Sequence, residues 1–226
     1  MRQQLDQRNT QRRPRTHPVR TSAHLGGRMR GHILPRKGIP PSPITRGVLH
    51  FIPLGGCGEV TRSMYIYEYE DDIVIVDMGL QFPGEDMPGI DYLIPNIEYL
   101  KPKLKNIRGI IITHGHLDHI GAIPHLIGSL GNPPIFATAL TRGMILKRQE
   151  DFQNFAQPNI EVVTPESKFS LGSFQIEFFH VNHNIPDSVG VILKTPIGTI
   201  VHTGDFKFDH TPVNERPADI PRLTQI

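Results

Sequence analysis

Within THGHLDHIGA, residues 113–122, three histidines and one aspartate occupy six positions: His114, His116, Asp118 and His119. Imidazole nitrogens and carboxylate oxygens together suit Zn²⁺, with Mn²⁺ or Fe²⁺ as alternatives. His114 and His116 are two residues apart, so an extended segment directs both to one side; Asp118 keeps that spacing, and His119 turns to a neighbouring point. One short segment can thus reach two adjacent metal ions. Packed together without metal, these imidazoles would repel one another on protonation and would serve no apolar core. Two cations about 3.5–4 Å apart can generate hydroxide and stabilise both oxygens of a phosphoryl displacement. Two later stretches carry similar residues: FFHVNHNIPDS holds His180 and His183, and TIVHTGDFKFD holds His202, Asp205 and Asp209. An aspartate at a strand end can bridge two cations. His180 and His202 are expected to sit on strand faces for packing, and His17, His24, His32, His50, His125 and His210 carry no ligand pattern.

These residues need a rigid base. RGIIIT, residues 108–113, is a short apolar run that reads as a buried strand, and it delivers the cluster at its C-terminal end. Strand ends are where α/β proteins place their ligand sites. VLHFIPL, SMYIYEYE and Ile73–Val76 read as a β-meander opening the domain, with the turn GGCGE, Gly55–Glu59, after the first strand. NIEVV, SFQIEFFHV, VGVILKT and GTIVHTG give four more strands. IGAIPHLIGSL reads as a short helix with Pro124 in its first turn, where a missing N–H costs little, and TALTRGMILKRQEDF as a second helix. Strands with interspersed helices indicate an α/β fold. No internal repeat is evident.

Charge divides the chain sharply. Residues 1–46 hold 11 Lys or Arg against one acid, Asp6, while the rest holds 13 basic and 21 acidic residues. The first 46 residues are rich in Arg, Gln, Gly and Pro and lack apolar periodicity. They are expected to form a disordered basic extension, because they cannot bury enough surface to offset the entropy of ordering. An RNA-binding arm, a solubilising tail and an organelle transit peptide are its three readings, the last disfavoured by the scarcity of serine. Residues 47–226 are the globular domain. The single cysteine, Cys57, excludes an internal disulfide and a Cys-rich metal module, and fits a reducing compartment such as the cytoplasm. No apolar run approaches the roughly 20 residues that span a bilayer, so no membrane partner is expected.

THGHLDHIGAIPHL resembles the signature of the metallo-β-lactamase fold. With PLGGCGEV, MYIYEYEDDIVIVDMGLQFP, GIDYLIPNIEYL, VNHNIPDSVGVIL and HTGDFKFDHTPV, the chain is similar to the ribonuclease J family of the β-CASP nuclease branch, from about Leu49 to Pro217. The resemblance implies an αββα four-layer sandwich of which this chain holds the N-terminal half, the 47–226 domain being incomplete at its C-terminus. It implies a zinc held by His114, His116 and His183, a second held with the help of Asp118 and His119, and Asp205 bridging the two. Mn²⁺ is a possible substitute. Asp77, at the end of IVIVD, would orient the ligand loop from behind rather than bind metal. The catalytic work would fall to Asp118 and Asp205, with Asp118 taking the proton of a metal-activated water that attacks phosphorus. Thr61 and Ser63 stand where the family usually has glycine and asparagine, which marks the turn as the place where local geometry would differ.

The resemblance further implies a metal-dependent ribonuclease, acting as 5′→3′ exonuclease and endonuclease on RNA in rRNA maturation and mRNA decay. The full-length family member would be a homo-oligomer with RNA-decay partners. The family's chain continues past FKFDHTPVNERPADIPRL, so the remaining histidine of the second zinc would lie outside these 226 residues. The isolated chain is then expected to be inactive, to hold one metal weakly and to leave an apolar sheet face uncovered. Two alternatives stay open: another hydrolase of this fold acting on a thioester or lactone, because the same metal chemistry attacks carbonyls, or an inactive metal-binding fragment.

Overall fold

In the computed structural model, residues 46–213 and 215–226 are described. The basic extension lies outside the described residues except for Arg46. Among the described residues, ten strands form two sheets. The first sheet runs in the order β1 (Leu49–Gly55), β2 (Met64–Tyr69), β3 (Asp72–Val76), β4 (Ile107–Ile111), β5 (Ile135–Ala137) and β6 (Ile160–Val162). Its first three strands pair antiparallel as the expected meander, and β3 to β6 pair parallel. The second sheet is antiparallel: β7 (Lys168–Leu171), β8 (Phe174–His180), β9 (Val189–Thr195) and β10 (Gly198–His202), with β10 and β7 at its edges.

Every strand read from the sequence is present, and two more appear. β5 and β7 are only three and four residues long, too short to show a period of two. The expected first helix is divided into α1 (Leu117–Ile120), α2 (Ile123–Leu126, with Pro124 in its first turn) and a 3₁₀ turn at Gly128–Leu130. The second helix is α3 (Ala139–Gln149), continued by a 3₁₀ turn over Glu150–Phe152. Among the described residues, no helix is long and apolar enough to cross a membrane.

The alternation of side chains along the first sheet builds two cores. Met64, Ile66, Ile73, Ile75, Ile110 and Ile112 face the helices, where they meet Ile120, Ile123, Leu126 and Ile145. Tyr67, Val74, Val76, Ile111 and Phe136 face the second sheet and pack on Phe174, Ile176, Phe178, Val191 and Leu193. β3 and β4 are covered on both faces, which is why they read as continuous apolar runs. Glu68 breaks the helix-side pattern. Its carboxylate is fully buried but receives Lys103 Nζ at 2.7 and 2.9 Å, and the Tyr99 hydroxyl also donates to it.

The outer face of the second sheet differs from expectation. It is polar at one end, where Gln175 is exposed and Glu177 bonds Lys194. At the other end α4 (Ile220–Leu223) packs on it, placing Leu223 against Phe179, Val181 and Ile192 and Arg222 on Glu177. The layers are therefore helices, sheet, sheet and one short helix.

Candidate metal centre

Four strands deliver the site. β3 and β4 are parallel neighbours, and β8 and β10 run parallel to each other across β9, so each pair ends on one edge of its sheet. Asp77 follows β3, His114 follows β4, His183 follows β8 and Asp205 follows β10. The backbone bond from Val189 N–H to Thr113 O, 3.0 Å, ties the second sheet to the segment that carries the cluster.

The ligand segment itself is clamped through its backbone. Met78 N–H donates to His119 O (2.7 Å), Leu80 N–H to Leu117 O (3.1 Å) and Ser63 N–H to Asp118 O (2.8 Å). Gly79 lies so close beneath that a Cβ there would stand 1.5 Å from Asp118 O, so only glycine fits. In its bond to Asp118 O, Ser63 acts through its main chain.

Two donor groups come together, and they share a member. His114, His116 and His183 form one, and His114, His119 and Asp205 the other; within each, the donor atoms lie within 4.8 Å of one another. His114 Nε2 is 3.0 Å from His116 Nδ1, and His183 Nε2 is 3.3 Å from the same atom. His119 Nε2 stands 3.6 Å from Asp205 Oδ2 and 3.6 Å from Asp118 Oδ2, and His183 Nε2 is 3.7 Å from Asp205 Oδ2. Asp205 therefore sits between the two groups. Asp118 stands at the rim, beside His119 but outside both mutual clusters. His180 and Asp209 point elsewhere: His180 Nε2 donates to Arg216 O (3.0 Å), and Asp209 pairs with Lys207. His202 Nδ1 is bonded to the Tyr67 hydroxyl (2.9 Å) at the mouth of the intersheet core.

Asp77 organises the group from behind. It is fully buried and adopts φ 63°, a left-handed conformation that costs about 1–3 kcal/mol in a residue with a side chain. Its Oδ1 accepts the Thr113 N–H (2.8 Å), the Thr113 hydroxyl lies 3.0 Å from both of its oxygens, and His119 Nδ1 donates to Oδ2 at 2.8 Å. The Thr113 hydroxyl also meets His114 Nδ1 at 3.0 Å. These bonds fix both rings so that His114 Nε2 and His119 Nε2 point into the centre. Thr113 is the residue that spacing did not reveal; its only signal is its place directly before the first histidine.

Burial and neighbouring charge set the protonation of the metal-free centre. Burial, reinforced by the charge on His119, pushes His114 down to about 3, which leaves its lone pair free for ligation. Burial also opposes a charge on His119, but the Asp77 carboxylate, with Asp205, overrides it and pushes His119 up to about 10. The His119 contact holds Asp205 down at about 2. Burial disfavours the Asp77 carboxylate, yet facing His119 keeps its pKa below the usual range. The donor set is thus three imidazoles beside an imidazole–carboxylate pair, with two of the rings oriented through their far nitrogens. That donor chemistry suits a divalent metal ion, and the residues fit such a group.

The chain is 39% identical over 185 residues to ribonuclease J of Thermus thermophilus, covering 78% of this chain and 32% of that protein. It is 36% identical over 187 residues to ribonuclease J of Mycobacterium tuberculosis, covering 83% of this chain and 33% of that protein. The chain spans about a third of the length of these curated relatives. Among solved structures, a metallo-β-lactamase from Cronobacter sakazakii superposes with a TM-score of 0.50 at 17% identity, over 76% of this chain and 67% of that one. The resemblance to ribonuclease J read from the motifs is borne out along most of the chain. Residues 57–223 match the metallo-beta-lactamase superfamily, and the chain belongs to that superfamily.

Proposed function

We propose that this chain carries the metal centre of a ribonuclease that hydrolyses RNA phosphodiester bonds. The observation that carries the reading is the pair of donor groups sharing His114, with Asp205 between His119 and His183. His114, His116 and His183 would hold one zinc; His119 and Asp118 would help to hold a second, with Asp205 bridging, and Mn²⁺ is the alternative ion. When bound, the metal ions would supply a lowered pKa for water and charge neutralisation at phosphoryl oxygens. Asp77 keeps His119 oriented by accepting its Nδ1 proton. Asp118, at the rim, is placed to take the proton that the attacking water gives up. The new bond is from water oxygen to phosphorus, and the bond that breaks is from phosphorus to the leaving ribose oxygen.

The finer reading follows the motif resemblance to ribonuclease J. The activity is 5′→3′ exonucleolytic and endonucleolytic, in rRNA maturation and mRNA decay in the cytoplasm, by a homo-oligomer of the full-length protein working with RNA-decay partners. Residues 47–226 belong to the hydrolase domain. The test is an RNA-cleavage assay on the product of the whole reading frame that contains these codons. RNA cleavage that chelator abolishes, zinc or manganese restores and His116→Ala removes is the expected result. Hydrolysis of a thioester or lactone with no RNA cleavage would overturn the reading.

A further inference from the structure

Beside the donor groups lies a groove of about 410 Å³, lined by Gly115, His116, Leu117, Ile120, Met144, Lys147, Arg148 and Asp151. Its floor is apolar: Ile120 is buried, Met144 half-buried, and Leu117 is left 38% exposed on the ligand segment itself. An exposed leucine between two candidate ligands contributes nothing to either core. Gly115 shapes the floor. A Cβ there would stand 2.5 Å from Met144 Sδ, so the glycine between His114 and His116 is what lets the thioether lie against the ligand loop. The rim is polar and carries a net positive charge. Arg148 Nε donates to Gly121 O at 3.1 Å, and its guanidinium stands 5.3 Å over the Phe152 ring, so the side chain is held in place. Among the described residues, its Nη groups have no acceptor. Lys147 is exposed and pairs only with the surface carboxylate Glu150.

We propose that this groove is a nucleobase subsite: it takes the base of a nucleotide flanking the phosphate held at the donor groups. The inference rests on the ribonuclease reading and extends it to where the strand lies. The reasons are the apolar floor, the fixed guanidinium that can bond a base edge, the lysine for an adjoining phosphate, and continuity with the centre through His116. A thioether is soft and adapts to different rings, so the subsite would bind bases with little regard to identity. Covering this floor with the face of a base removes apolar surface from water, which favours binding.

The test uses the 226-residue chain with ¹³C-methyl-labelled methionine, titrated with AMP and, separately, with ribose 5-phosphate. AMP is expected to shift the Met144 methyl resonance through its ring current, while ribose 5-phosphate leaves it in place. Leu117→Ser, at an exposed position, is expected to weaken AMP binding roughly tenfold without changing ribose 5-phosphate binding. A Met144 signal that AMP does not move would overturn the proposal. So would equal responses to the two ligands, which would make the groove a phosphate site. Either failure leaves the RNA-cleavage assay of the whole reading frame unaffected, so the two readings fall separately.

Discussion

Replacing Asp77 by asparagine changes one atom type and should disable half of the centre. The amide oxygen can still accept from Thr113 N–H, now 2.8 Å away, but the amide nitrogen then faces His119 Nδ1 across 2.8 Å. That contact is satisfied only if His119 moves its proton to Nε2, the atom aimed at Asp118 and Asp205. The ring is then in the wrong tautomer to ligate. Losing such an orienting partner typically lowers metal affinity 10–100-fold, or about 1.4–2.8 kcal/mol. The metal-free protein should lose about 3 kcal/mol at neutral pH, the lower end for breaking a buried ion pair, because the Thr113 bonds survive. Zinc titration against a chromophoric chelator reads the first quantity and urea denaturation the second; the ring nitrogen shifts of His119 report its tautomer. An unchanged zinc isotherm together with an unchanged denaturation midpoint would refute the role given to Asp77.

Other outcomes follow from the same contacts. Lys103→Met strands the fully buried Glu68 carboxylate and should cost about 3–5 kcal/mol in urea denaturation, with Glu68→Gln in the same chain recovering much of the loss. Gly79→Ala drives a methyl into Asp118 O, so the chain should lose metal binding and melt at lower temperature, both seen in a zinc-dependent melting series. With chelator present, His119 contributes stability fully below its unfolded pKa of about 6.5, and that contribution is lost as pH rises toward about 10. Asp205 behaves in the opposite sense, contributing above about 3.9 and losing its contribution as pH falls toward about 2. Denaturation midpoints measured from pH 6 to 10 should therefore fall more steeply in the native chain than in His119→Gln. Added zinc should raise the melting temperature in a concentration-dependent way, because only the folded chain assembles the donor groups.

The sequence by itself determined the α/β class, most of the strands and the candidate residues of the site. Period-two alternation and apolar runs are local signals, and the spacing of His114, His116, Asp118 and His119 needs no tertiary contact to be recognised. His183 and Asp205 were also legible, through the motifs that surround them. The tertiary structure alone decided which residues meet. Asp205 comes between His119 and His183 only because β10 and β8 end on one edge of the second sheet and that sheet is tied to Thr113. β5 and β7 were not read from the sequence; pairing with their neighbours in the sheets creates them. The roles of Thr113 and Ser63 were not legible for a different reason. One works through a hydroxyl directed at a residue 36 positions away and the other through a backbone N–H, and neither contact leaves a pattern in the chain. Spacing records donors along one segment, whereas orientation depends on partners that folding brings from elsewhere.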